Sequence, residues 1–156
     1  MYRNQRRDID GFLGLKRIAM IGISRNEHET SRALFKEMVE RGYDVVPVNP
    51  NAQEIEGQRC YGSIVEVEPA VEGALVFTPP PTNRGVVKQC LEAHVPRIWL
   101  YGAGGGGAAS QDVVEMCDRE HVPVVAGECP FMFLPQTAWF HRAHGWVREI
   151  FGRGPV

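Results

Sequence analysis

The sequence predicts an α/β fold: one doubly wound, three-layer domain with a parallel sheet of about five strands and helices on both faces. Three observations carry this. Short apolar runs at 18–23, 44–48, 73–77, 96–101 and 122–125 recur along 156 residues. Longer segments with helical spacing of apolar residues separate most of them. Turn residues, chiefly Gly, Pro and Asn, punctuate the joints. Right-handed crossovers are expected, with strand order 3-2-1-4-5 and no second domain or internal repeat in 1–156.

Residues 1–14 carry Arg3, Arg6, Arg7, Asp8 and Asp10 and no apolar core of a secretion signal. They read as a polar arm or a first helix over the sheet edge. The first strand ends at Gly22-Ile23, and the polar run from Ser24 to Glu29 leads to Thr30-Ser31. A helix follows, with Leu34, Phe35, Met38 and Val39 inward and Gly42 as its left-handed stop. Pro47 in the second strand lacks a ladder donor, so it belongs at a strand end or where no N–H is needed. Asn49-Pro50-Asn51 then turns the chain. Residues 54–61 read as a turn or edge strand and 63–67 as a brief helical turn. Thr78-Pro79-Pro80-Pro81 stops the third strand stiffly. A helix over about 82–94 turns Val86, Val87, Cys90 and Leu91 inward and Arg84, Lys88 and Glu92 outward. Residues 102–107 form a glycine run read as a flexible loop, and 108–120 a helix. In the tail helix, 136–151, Trp139, Phe140, Ala143, Trp146, Val147 and Ile150 share one stripe. Core packing is the plain reading of that stripe. A homodimer face through Trp139 and Trp146 is the sharper one.

Composition removes several function classes. A net charge of −2 gives no electrostatic footprint for nucleic acid or an anionic membrane. No 18-residue apolar run is present. Cys60, Cys90, Cys117 and Cys129 form no C-x-x-C pair and read as reduced thiols of a cytoplasmic protein. His141 and His144 share a helix face and could join Cys129 in a zinc site, but such spacing is common by chance. Cys129 as a nucleophile would need a cation or helix N-terminus nearby, and Glu128 beside it works the other way. No Ser/His/Asp set or carboxylate pair stands out, so binding is favoured over catalysis.

In an open α/β sheet, ligands sit beyond the carboxyl ends of the strands, where strand order reverses. For order 3-2-1-4-5 the reversal lies between strands one and four, so the 22–30 and 102–107 loops should flank one crevice. The Asn49-Pro50 and Thr78-Pro79-Pro80 turns should share that edge. A helix N-terminus after the first strand suits a phosphate. The dinucleotide fingerprint fails: after Gly22 the matching positions are Ser24 and Glu27, and Asn49 replaces the acid that holds the ribose. Ser24, Arg25 and Asn26 still offer a hydroxyl, a guanidinium and an amide. The plain alternatives are a turn glycine at Gly22, a solvated charge at Arg25 and a proline stop after Thr78.

The runs Ile21-Gly22-Ile23-Ser24-Arg25-Asn26 and Glu40-Arg41-Gly42-Tyr43-Asp44-Val45-Val46-Pro47-Val48-Asn49-Pro50 resemble the small single-domain CoA-binding proteins. So do Ile55-Glu56-Gly57 with Cys60-Tyr61, Val76-Phe77-Thr78-Pro79-Pro80 and Glu128-Cys129-Pro130. The resemblance covers about residues 15–132. It implies a Rossmann-like fold similar to the CoA-binding domain of the succinyl-CoA synthetase α subunit, with coenzyme A as cofactor. Gly22, Ile23, Ser24, Arg25 and Asn26 would form the phosphate loop. Asn49 and Pro50 would sit by the adenosine, and Phe77, Thr78 and Pro79 along the nucleotide edge. Lys88 would reach a phosphate and Gly102 would lie across the crevice. Many relatives carry Arg at the position of Thr78 and a basic residue at that of Glu128. The implied function is non-catalytic binding of coenzyme A or an acyl-CoA. The rivals are an NAD(P)-dependent or CoA-thiol redox enzyme using Cys129, and an interaction module whose pocket has decayed.

Overall fold

The computed structural model describes residues 2–80, 82–103 and 106–134. The tail segment 136–151, with Trp139, Trp146, His141 and His144, lies outside the described residues. Five parallel strands build the sheet: β1 (Arg17–Ile21), β2 (Asp44–Val48), β3 (Gly73–Val76), β4 (Ile98–Ala103) and β5 (Val124–Glu128). Four helices join them: α1 (Arg6–Leu13), α2 (Thr30–Glu40), α3 (Thr82–Glu92) and α4 (Gln111–Arg119).

Alternation along the strands produces two cores. Ile18, Met20, Leu75 and Trp99 pack on one face with Ile9 and Phe12 of α1 and Leu34, Phe35 and Met38 of α2. Ala19, Ile21, Ala74, Val76, Ile98 and Leu100 face Val87 and Cys90 of α3 and Val113 and Cys117 of α4. Both faces are covered, as a parallel sheet requires. The three-layer fold class is therefore as the sequence implied.

The strand order is not. β1 pairs with β2 on one side and β3 on the other, giving 2-1-3-4-5 rather than 3-2-1-4-5. β2 is the edge, and Pro47 shows why it must be. Its carbonyl accepts from Tyr61 at 3.0 Å on the side away from β1, so its missing N–H falls on the outer side, where no sheet strand needs it. The chain after β2 forms a small hairpin, Glu54–Ile55 against Gln58–Arg59, and a 3-10 turn at Ile64–Glu66. Ile64 and Val67 join the α3/α4 core. The chain thus passes beneath β1 to reach β3 on its far side.

The glycine run differs from expectation too. Gly102 and Ala103 extend β4 and pair antiparallel with Gly107 and Gly106, so these residues form a ladder, not an open loop. A Cβ on Gly107 would press on the Tyr101 carbonyl. At the other margin Gly127, at φ +80, inserts a bulge between Ala126 and Glu128. The N-terminal arm closes this edge. The Asn4 amide donates to the Ala126 carbonyl (2.9 Å) and accepts from its N–H (2.8 Å), as a neighbouring strand would.

Replacing Asn4 with Ala removes both bonds and should cost about 1–2 kcal/mol in urea unfolding. Amide exchange at Ala126 should accelerate more than at core positions of β1, because the opening is local.

Candidate functional site

With order 2-1-3-4-5, the first crossover leaves β1 in one direction and the next lands on its opposite flank. The reversal, and so the ligand crevice of an open sheet, lies between β1 and β3. The sequence expectation of a crevice between the first and fourth strands is corrected accordingly. Gly22 and Thr78, not Gly22 and Gly102, face each other. Gly102 is buried in the β4 ladder.

Gly22 adopts φ +84 and donates its N–H to the Val48 carbonyl at 3.0 Å. A Cβ there would lie 2.8 Å from Thr78 Cγ2 and 3.0 Å from the Thr78 nitrogen. Only glycine lets the tips of β1 and β3 approach so closely. Across this contact the Thr78 Oγ1 is buried and has no partner among the described residues.

The seven residues between Gly22 and Thr30 are folded by their own polar groups. Ser24 N–H donates to Ser31 Oγ (2.9 Å), Asn26 N–H to Ser24 Oγ (3.0 Å) and His28 N–H to Asn26 Oδ1 (3.0 Å). Asn49 reaches in from the tip of β2: its Nδ2 donates to the Ile23 carbonyl (2.8 Å) and its Oδ1 accepts from Asn51 N–H (2.7 Å). Ser24, Asn26 and Asn49 therefore carry structural hydrogen bonds in addition to any role toward a ligand. The Ile23 side chain is fully buried, so only its backbone faces the loop. Arg25 is exposed, and its guanidinium and N–H make no hydrogen bond within the described residues. The N–H groups of Thr30 and Ser31, at the start of α2, are likewise unpartnered, as first-turn donors are. Glu27 and Glu29 are exposed on the same loop and offset Arg25.

The remaining candidates spread along the edge. Phe77 is half-buried, its ring 4.8 Å from that of Tyr101 at the tip of β4. Pro50 and Pro79 are exposed. Lys88 is exposed on α3, six residues and so about 9 Å along the axis from the helix start. It is not gathered with the loop residues. Cys129 follows β5 within hydrogen-bonding reach of the Tyr101 hydroxyl; burial first, and then the neighbouring thiol, raise the Tyr101 pKa. Glu128 turns its carboxylate to the Asn4 amide at 3.4 Å. Cys60, Cys90 and Cys117 are buried, and burial pushes the Cys90 and Cys117 thiols up to about 12. No group of three metal-ligating side chains occurs among the described residues. None of the described helices is long and apolar enough to cross a membrane.

Two residues escaped the sequence reading. In the sequence Ser31 stands only as a helix opener, yet its hydroxyl fixes Ser24. Arg32, 9% exposed, donates through Nη1 to the carbonyls of Ser24 (3.4 Å) and Arg25 (3.1 Å) and through Nε and Nη2 to Glu56 (3.1 and 2.5 Å). A charged residue in the buried stripe of an amphipathic helix was the available signal. Two cavities of about 630 and 660 Å³ lie elsewhere, one between the N-terminal arm and α4, the other at the C-terminal ends of α1 and α2. Neither is lined by the β1–α2 loop.

Residues 16–135 match the CoA binding domain family. The chain belongs to that family, and coenzyme A is its cofactor. It is 28% identical over 114 residues to the uncharacterized protein YneT of Bacillus subtilis, covering 73% of this chain and 82% of that protein. It is 25% identical to an ADP-forming acetate–CoA ligase of Methanocaldococcus jannaschii, covering 73% of this chain but only 17% of the ligase. Among solved structures, a conserved hypothetical protein from Pyrococcus furiosus superposes with a TM-score of 0.67 at 31% identity, covering 73% of this chain and 95% of that one.

Gly22→Ala should destabilise the fold by about 2 kcal/mol or more, from the left-handed backbone and the contact with Thr78. A shifted urea midpoint with unchanged slope would show it. A second outcome concerns pH. The Arg32 hydrogen bond holds the Glu56 carboxyl below its usual 4.5, against some desolvation and with help from the Arg32 and Lys36 charges. A depressed folded value means stability that is full above the ordinary glutamate value and lost as pH falls through the folded one. Below about pH 5, Glu56→Gln should therefore lose stability less steeply than the parent chain.

Proposed function

We propose that this chain binds coenzyme A, or an acyl-CoA, at the carboxyl edge of its sheet without catalysing a reaction. The phosphates rest on the β1–α2 loop and the start of α2. The observation that carries this is the set of donors without a partner among the described residues at the β1/β3 reversal: the N–H groups of Arg25, Thr30 and Ser31 and the Arg25 guanidinium. The residues present suit the cofactor. A polyanion is held best by donors fixed before it arrives, and this loop is fixed by Ser31, Ser24 and Asn49. The orphaned Thr78 Oγ1 supplies a further polar contact where the glycine contact brings β1 and β3 together. Asn49 and Pro50 border the adenosine, and Phe77 and Pro79 the nucleotide edge. Asn49 in place of an acid removes one carboxylate that would repel the 3′-phosphate of the cofactor. The proposal extends to a cytoplasmic protein, with the Trp139/Trp146 stripe of the sequence, outside the described residues, as the candidate homodimer face.

Calorimetric and thermal-shift titration with coenzyme A, dephospho-CoA, ADP and NAD tests the reading. Coenzyme A at 100 times its Kd should add about 2.7 kcal/mol of stability. Arg25→Ala should weaken binding about tenfold, the scale of one charge-assisted contact. Tightest binding of NAD, or none of any ligand, would overturn the proposal. Sedimentation of the free chain decides the dimer.

A further inference from the structure

We infer that Arg32, fixed by Glu56, is a positioning residue that sets the β1–α2 loop in its anion-receiving shape; this rests on the reading of that loop proposed above. Arg32 stands in the first turn of α2 and is 9% exposed. A guanidinium so placed is tolerated only with its donors filled and its charge matched. Glu56 supplies the charge through two hydrogen bonds at 3.1 and 2.5 Å. The carbonyls of Ser24 and Arg25 accept from Nη1 at 3.4 and 3.1 Å.

The consequence for the loop follows from peptide geometry. In a planar trans peptide, C=O and N–H point in opposite directions. Holding the Ser24 carbonyl toward Arg32 therefore directs the Arg25 N–H away from it, and that N–H has no protein partner among the described residues. Holding the Arg25 carbonyl turns the next N–H, of Asn26, to the other side, where Ser24 Oγ receives it at 3.0 Å. One buried cation thus fixes two successive peptide planes of the loop.

Glu56 is itself held in an unusual place. It adopts φ +52, in the left-handed region, in the two-residue turn it shares with Gly57 at φ +77. A glutamate there is uncommon and is sustained when its surroundings demand it. Lys36 Nζ lies 3.6 Å from the same carboxylate oxygen. The 54–59 hairpin, anchored in the α2 core by Ile55, is also coupled through this carboxylate to the loop. Removing the Glu56 charge leaves Arg32 buried and unmatched, which favours its escape to solvent and release of both carbonyls.

The test uses the full chain and coenzyme A. Glu56→Gln keeps shape and removes charge; Arg32→Lys keeps charge and loses the fork. Each should weaken coenzyme A binding about tenfold, the scale of a lost charge-assisted bond. In the unliganded variants the Arg25 and Asn26 amide resonances should shift, a readout that general destabilisation does not confine to these residues. The Arg25→Ala penalty should shrink in the Glu56→Gln background, because both act on one loop geometry. Parental affinity in both variants, or penalties that add in full, would overturn the inference. If the parent chain binds no coenzyme A, the site reading fails, and the amide shifts of the unliganded variants still decide the clamp. Should Arg32→Lys fail to fold, Glu56→Gln, at a partly exposed position, carries the same test.

Discussion

Three strand tips meet at a residue with no side chain. Gly22 bonds to the end of β2 and packs against the end of β3, and a Cβ would drive β1 and β3 apart. Because β1 lies between these two strands, the crossover to β2 covers one face and the return to β3 covers the other. The tip of β1 is where the covering layers part, so the chain leaving it is free to form a loop toward solvent. That loop's position, its helix start and the placing of Thr78 opposite it all depend on the close approach at Gly22.

The small polar residues around this point act first on the backbone. Ser31 fixes Ser24, Ser24 fixes Asn26, and Asn49 ties the loop to β2. Their hydrogen bonds leave backbone N–H groups and one guanidinium for a ligand rather than a cluster of cations. Glu27 and Glu29 make the loop acidic or neutral in sum. Anion recognition here would rest on oriented dipoles held in advance, a mode that needs rigidity more than net charge. The buried Arg32 belongs to the scaffold side of that division: its charge is spent on Glu56 and on two carbonyls.

Strands, helices and the position of the β1–α2 loop were legible because buried parallel strands are apolar runs and the helices carry a clear stripe. Strand order was not read correctly, although one residue held the answer. An inner second strand would use both its edges, and Pro47 has no N–H for one of them. Giving that proline its full weight places the strand at the margin and yields 2-1-3-4-5. The glycine run misled for another reason. Glycines signal freedom of φ, and an antiparallel ladder at Gly102–Gly107 uses that freedom as fully as an open loop does. Arg32 and Glu56 were hidden because their partnership joins residues 24 apart across a turn, and nothing in the spacing marks it.

The same organisation explains how one fold can match most of a small protein and less than a fifth of a ligase. A parallel sheet embedded in a larger chain often leaves an edge for a neighbour to cover. Here the described residues cover both edges themselves. Tyr61 pairs with Pro47 and Asn49 along β2, and the Asn4 amide pairs with Ala126 along β5. Two cores, one on each face, are filled by the chain's own helices. Every loop at the carboxyl edge comes from the stretch matched to the family, residues 16–135. The edge that carries the candidate site is therefore shaped by contacts local to this domain: the glycine contact at β1/β3, the Asn49 tie to β2 and the Arg32–Glu56 bond to the hairpin. None of these contacts needs a partner domain to form.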